Sequence, residues 1–188
     1  MKNALIIHGM PDKKEYLASG AIRASDNHWI PWLKEYFYSL DIKTETPEMP
    51  EPYAPNYKKW KSVFEKYELT PETILVGHSC GAGFLVRWLS ENKVSVGKVV
   101  LVAPWMDPTK EFTTEMFDFI INPDIIEQCA ELTVMYSADD DGEVTKTVDE
   151  LKAVFPQVAY KEFSNKGHFT LEDMGTTAFP EILEVLGL

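Results

Sequence analysis

The pentapeptide Gly77-His78-Ser79-Cys80-Gly81 stands between a short apolar run, residues 73–76, and a nearly all-apolar stretch holding Phe84, Leu85, Val86, Trp88 and Leu89. A serine on a tight strand-to-helix turn of this kind can attack a carbonyl carbon. The turn holds the serine in a strained backbone conformation that lifts its hydroxyl clear of the sheet. Two residues before and two after, strand and helix crowd together, and there the sequence has Gly77 and Gly81, which bring no side chain. The helix N-terminus adds partial positive charge where an oxyanion would develop. Cys80 is the intervening residue, and the turn presents Ser79, not its neighbour.

A serine hydroxyl is a weak nucleophile and needs a base within hydrogen-bond reach. Where such a turn serves catalysis, the partners follow in the order serine, acid, histidine. Of the four histidines, His8, His28, His78 and His168, one follows Ser79. His168 is therefore the expected base, while His8 and His78 read as packing or orienting residues. The acid should follow a strand, and Asp139-Asp140-Asp141 follows the apolar run at 132–136. Three adjacent aspartates cannot all serve, and two of them read as solvated turn residues. Enzymes built this way tend to carry the acid three residues before an apolar residue that re-enters the core. Val144 is that residue, which selects Asp141, with Asp140 second and Asp107 third. Two backbone amides should form an oxyanion hole, those of Cys80 and of Met10 after the first strand. His28, Trp29 and Trp105 are expected to border the substrate pocket, although the cluster of Trp29, Trp32 and Tyr36 otherwise reads as core.

The elements that must position these residues alternate. Short apolar runs at 4–7, 42–46, 73–76, 98–102, 132–136 and 158–163 predict strands. Helical spacing is found from Trp29 to Leu40, at 57–67, 81–91 and 144–154, and after Pro180. Residues 46–55 are proline-rich and predict a loop. The alternation predicts an α/β fold, a compact three-layer sandwich around a mostly parallel sheet of about six strands, with residues 1–188 forming one domain. Residues 107–123, with Phe112, Met116, Phe117 and Phe119, are the stretch that could cover a pocket.

The formal net charge is −12 and no segment gathers Lys and Arg. An anionic membrane or a nucleic-acid backbone would be repelled, so neither is expected as a partner. No leader or membrane span is apparent, and Cys80 and Cys129 offer no disulfide framework, so a reducing cytoplasm is the default compartment. No His/Asp/Glu set has metal-ligand spacing, and no cofactor is expected.

The segments 4–9, His28-Trp29 with Trp32, 74–81, 137–144 and 167–169 together resemble the small serine hydrolases of the retinoblastoma-binding protein type, of the α/β-hydrolase superfamily. The resemblance implies Ser79, Asp141 and His168 as a triad, in a compact fold without a separate lid, acting on small esters or amides. Its relatives carry a shorter loop after the first strand, whereas residues 10–27 here are long and charged. The expected activity is ester hydrolysis through an acyl-enzyme. Peptidase or thioesterase work with the same residues is a second reading, and a non-catalytic protein-binding module on the same fold a third.

Overall fold

The computed structural model describes residues 2–111 and 115–188. Six strands form one sheet: β1 (Asn3–Ile7), β2 (Lys43–Glu45), β3 (Ile74–His78), β4 (Val96–Val102), β5 (Cys129–Ser137) and β6 (Ala159–Phe163). Their spatial order is β2-β1-β3-β4-β5-β6, and every neighbouring pair is parallel. Parallel pairs need crossovers, and the crossover helices cover the faces of the sheet. The burial of the strands records that cover. Every residue of β3 is buried, and so is every residue of β4 except the half-buried Lys98. The edges are shorter or wetter: β2 has three residues, and no residue of β6 is fully buried.

The longer helices are α2 (Ile30–Ser39), α3 (Tyr57–Phe64), α4 (Cys80–Glu91), α6 (Gly142–Val154) and α8 (Pro180–Leu186). Three single turns, α1 (Lys13–Tyr16), α5 (Ile125–Gln128) and α7 (Leu171–Met174), complete the set. Four residues are too few to show a 3.6-residue period, so these turns leave no pattern in the sequence. Side-chain caps mark two of them instead. The Asp12 carboxylate accepts from the amides of Lys14 and Glu15, and the Thr170 hydroxyl accepts from that of Asp173.

Helix α4 carries the serine turn, and its placement follows from its sequence. Phe84 presents its ring to Tyr57, Trp60 and Phe64 of α3 at centroid distances of 5.8, 5.8 and 5.4 Å, and Trp88 meets Phe64 at 4.9 Å. Each buried side chain of this size contributes about 1.5–3 kcal/mol. On another side Gly83 lies so close to the Trp105 carbonyl that a Cβ would collide with it. Aromatic packing and one missing side chain thus fix the helix whose first turn follows Ser79.

Candidate active site

The turn at Ser79 has the strain its sequence predicts. Ser79 adopts φ 53° and ψ −122°, a region that L-residues rarely occupy. Its backbone is held on several sides. The Ser79 amide donates to the Val102 carbonyl at 2.9 Å, and its own carbonyl accepts from Ala82, Gly83 and Trp105 at 3.0, 3.2 and 3.2 Å. A Cβ on Gly77 would stand 2.5 Å from the Ala82 Cα, and one on Gly81 would collide with the carbonyl oxygens of Ile7 and His8. A Cβ on Gly9 would reach the Ser79 Cβ at 3.0 Å, so a third glycine, on the strand-β1 side, leaves room for the hydroxyl.

The Ser79 Oγ lies 2.8 Å from Nε2 of His168, in the loop after β6. The other ring nitrogen, Nδ1, lies 3.0 and 3.1 Å from the two carboxylate oxygens of Asp140. A carboxylate can only accept, so Nδ1 carries the proton and Nε2 presents a lone pair to the serine hydroxyl. The Asp140 side chain is 2% exposed, which shields this contact from water, whereas the His168 ring is 32% exposed and faces the cleft. The arrangement can move a proton from Ser79 to His168 and hold the resulting imidazolium against a buried carboxylate.

Behind the ring sits His78, whose Nε2–H donates to the His168 carbonyl at 2.8 Å. Its ring lies 5.2 Å from that of His168 and is edge-on to Trp29 at 5.7 Å and to His28 at 5.8 Å. Burial, reinforced by the neighbouring His168 and His28, pushes its pKa well below the ordinary 6.5, so His78 stays neutral. Burial lowers His8 in the same sense. Its Nδ1–H donates to the Gly9 carbonyl at 2.7 Å and its Nε2 accepts from the Met49 amide at 2.9 Å, tying the end of β1 to the proline-rich loop.

Ser79 and His168 open into a cleft of about 410 Å³. One wall is Gly9, Met10, Pro11, Asp12 and Glu15, another is Ala24, Asn27, His28 and Ile30, and His168, Thr170 and Glu172 close it. The long segment 10–27 is therefore the main wall of the cleft. Glu48 pins it, accepting from the Tyr16 hydroxyl at 2.7 Å and from the Ser25 amide at 2.8 Å. Cys80 is fully buried and its thiol is pushed far above the ordinary value by burial, which leaves it un-ionised and a poor nucleophile. Among the described residues no group of three or more His, Cys, Asp or Glu is placed to hold a metal ion, and no helix is long and apolar enough to cross a membrane.

A family model described as serine hydrolase matches residues 16–187. The chain belongs to the serine hydrolase family. Its relatives include YdeN of Bacillus subtilis (strain 168), 30% identical over 184 residues that cover 93% of this chain and 94% of that one. The crystal structure of that gene product superposes with a TM-score of 0.81 at 27% identity, covering 100% and 97% of the two chains. More distant solved structures share the fold. A YdeN-like hydrolase from Pectobacterium atrosepticum gives a TM-score of 0.63 at 16% identity, over 98% of this chain and 88% of that one. The methylesterase MES16 from Arabidopsis gives 0.63 at 11%, over 100% and 99%.

Not every residue expected at the site of this serine hydrolase lies there. The structure brings Ser79, His168, Met10 and His28 to the cleft. It corrects the aspartate by one residue: Asp140 faces His168, while the exposed Asp141 caps α6, accepting from the Glu143 amide at 2.7 Å. The spacing to Val144 had picked out the helix cap, because a cap also stands three residues before the first buried position of its helix. Asp107 accepts from the Glu111 amide and lies outside the cleft wall. Trp29 and Trp105 are corrected too. Trp29 is fully buried behind His78, against Phe179. Trp105 packs edge-on to Phe117 and donates from Nε1 to Glu143 at 2.7 Å. Among the described residues of 107–123, none lines the cleft either. Arg87 donates to the Glu115 and Met116 carbonyls and holds residues 115–117 against α4, where Met116 is buried; Phe112 lies outside the described residues. Glu48, which braces the cleft wall, had no signal in the sequence beyond its place in the proline-rich loop.

Proposed function

We propose that this hydrolase cleaves small carboxylic esters through an acyl-enzyme, with Ser79 as nucleophile, His168 as general base and then acid, and Asp140 as the group that orients and stabilises the imidazole. The observation that carries the reading is the continuous chain from Ser79 Oγ through both ring nitrogens of His168 to a carboxylate shielded from water. In the reaction, Ser79 Oγ attacks the acyl carbon as its proton passes to Nε2. The tetrahedral oxyanion then takes hydrogen bonds from the amides of Cys80 and Met10. The imidazolium next protonates the leaving alkoxide, and water repeats the sequence on the acyl-enzyme. The Cys80 amide suits this role because it opens α4, where no helical carbonyl precedes it as a partner.

Small substrates are favoured by the size of the cleft, about 410 Å³, near the lower end of the range for ligand sites. The likeness to the retinoblastoma-binding protein type supports the same substrate class. A fluorophosphonate probe should label wild-type protein on Ser79 and leave Ser79→Ala unlabelled. Turnover of p-nitrophenyl acetate or butyrate should fall by about 10⁴-fold or more in that variant. Labelling or turnover that survives Ser79→Ala, or that disappears with Cys80→Ala instead, would overturn the assignment.

A further inference from the structure

The loop that carries His168 belongs to no helix or strand, yet its backbone is held at consecutive positions by side chains from elsewhere. The Lys166 amide donates to Ser137 Oγ at 3.1 Å, the Gly167 amide to Asp139 Oδ1 at 3.2 Å, and the His168 amide to Asp173 Oδ2 at 2.8 Å. Two of these acceptors are joined, since the Ser137 hydroxyl donates to the same Oδ1 of Asp139. Ser137 ends β5 and is buried, and Asp139 stands beside Asp140 in the next turn. The turn that delivers the carboxylate to His168 is thereby stitched to the loop that delivers His168 to Ser79.

We propose that Asp139 is a positioning residue for the base, clamping the loop of His168 to the turn of Asp140 through the Gly167 amide and the Ser137 hydroxyl. This rests on the roles given to Ser79 and His168 above. The physical argument is one of tolerance. Two short contacts, 2.8 Å to Ser79 and 3.0 Å to Asp140, must hold at once on a ring carried by irregular backbone. A displacement of about 1 Å in such a constellation costs on the order of a hundredfold in rate. Gly167 sits at φ +47° and a Cβ there would stand 2.6 Å from the Asp173 carboxyl carbon, so the loop is tightly drawn on its other side as well. The hydrogen bond from Ser137 holds the Asp139 carboxyl below its usual range, helped by that from Gly167, and the acceptor is ionised wherever the enzyme would be assayed.

The test is the comparison of Asp139→Ala, Asp139→Asn and Ser137→Ala by kcat and KM on a short p-nitrophenyl ester, and by the rate of Ser79 labelling with an uncharged fluorophosphonate. Asp139→Ala should lower kcat and the labelling rate together by about 10- to 100-fold, with KM within about twofold and thermal stability nearly unchanged. Asp139→Asn keeps an acceptor oxygen and should recover to within about threefold of wild type, and Ser137→Ala should fall by about three- to tenfold. Full-speed labelling and turnover in Asp139→Ala would overturn the clamp, and so would Asp139→Asn falling as far as Asp139→Ala, which would make charge rather than the hydrogen bond decisive. If Asp139→Ala does not fold, Ser137→Ala decides, and wild-type kcat in that variant overturns the proposal. Turnover that survives Ser79→Ala would instead overturn the assignment beneath it.

Discussion

Replacing Asp140 and Asp141 one at a time by asparagine separates two neighbouring carboxylates that the structure places in different contacts. Asp140 presents both oxygens to Nδ1 of His168 at 3.0 and 3.1 Å and is 2% exposed. An asparagine can turn its amide nitrogen toward that position, where it favours a lone pair on Nδ1 and moves the ring proton to Nε2. The ring then cannot accept the proton of Ser79. The same exchange in a Ser-His-Asp hydrolase of another fold costs about 10⁴ in kcat. Asp140→Asn should therefore lower kcat on a short p-nitrophenyl ester by about 10³- to 10⁴-fold, with KM little changed. Asp141 caps α6, and asparagine caps a helix about as well as aspartate, so Asp141→Asn should stay within about threefold of wild type. Asp141→Ala, which removes the cap, should cost about 1 kcal/mol of stability, a fall of roughly 2–4 °C in Tm for a chain of this size. The assay is steady-state hydrolysis with thermal melts of the same preparations. A loss of a hundredfold or more in Asp141→Asn, with Asp140→Asn near wild type, would refute the reasoning.

Stability should fall on acidification from about pH 6.5, because His8 and His78 keep pKa values below the ordinary 6.5 when folded and regain it when unfolded. The unfolded chain then binds more protons, which lowers stability by up to about 1.4 kcal/mol per pH unit for each histidine; urea midpoints that do not move between pH 7.5 and 5.5 would contradict this. The cleft wall holds Asp12, Glu15 and Glu172 and, among the described residues, no Lys or Arg. At low ionic strength a short ester with a quaternary ammonium on its acyl group should exceed its carboxylate counterpart in kcat/KM by about tenfold or more, and 0.5 M NaCl should shrink the ratio; equal rates at low salt would count against an acidic wall.

What the sequence made legible follows from which interactions are local. The turn at Ser79 is legible in five residues because its strand, turn and helix are contiguous, Gly77 answering Ala82 just beyond it, although Gly81 answers the distant carbonyls of Ile7 and His8. The order of serine before histidine singled out His168. The strands β3 and β4 were legible as apolar runs because both of their faces are covered. Asp140 was not, because a helix cap three residues before Val144 leaves the same trace as a catalytic acid. Trp29 and Trp105 misled because an indole in a sequence does not reveal whether it faces a cleft or fills the space behind it. Glu48 and Asp139 act on backbone amides more than twenty residues away in sequence, and contacts at such separations leave no periodicity. Single turns such as α1 and α7 were invisible for the same reason that they are short.

His168, the proposed base, hangs from the least protected margin of the sheet. Strand β6 pairs with β5 alone, has no fully buried residue, and leads directly into the segment that ends at His168. The serine turn lies between strands whose burial is nearly complete. Fraying of that one edge, the kind of opening a marginal strand undergoes without the rest of the molecule, would leave the imidazole depending on the contacts of its loop with Ser137, Asp139 and Asp173 while β1, β3 and β4 stayed paired. Were those contacts to open with the strand, the enzyme would fall silent before it melts, and on re-pairing of a single strand its activity would return.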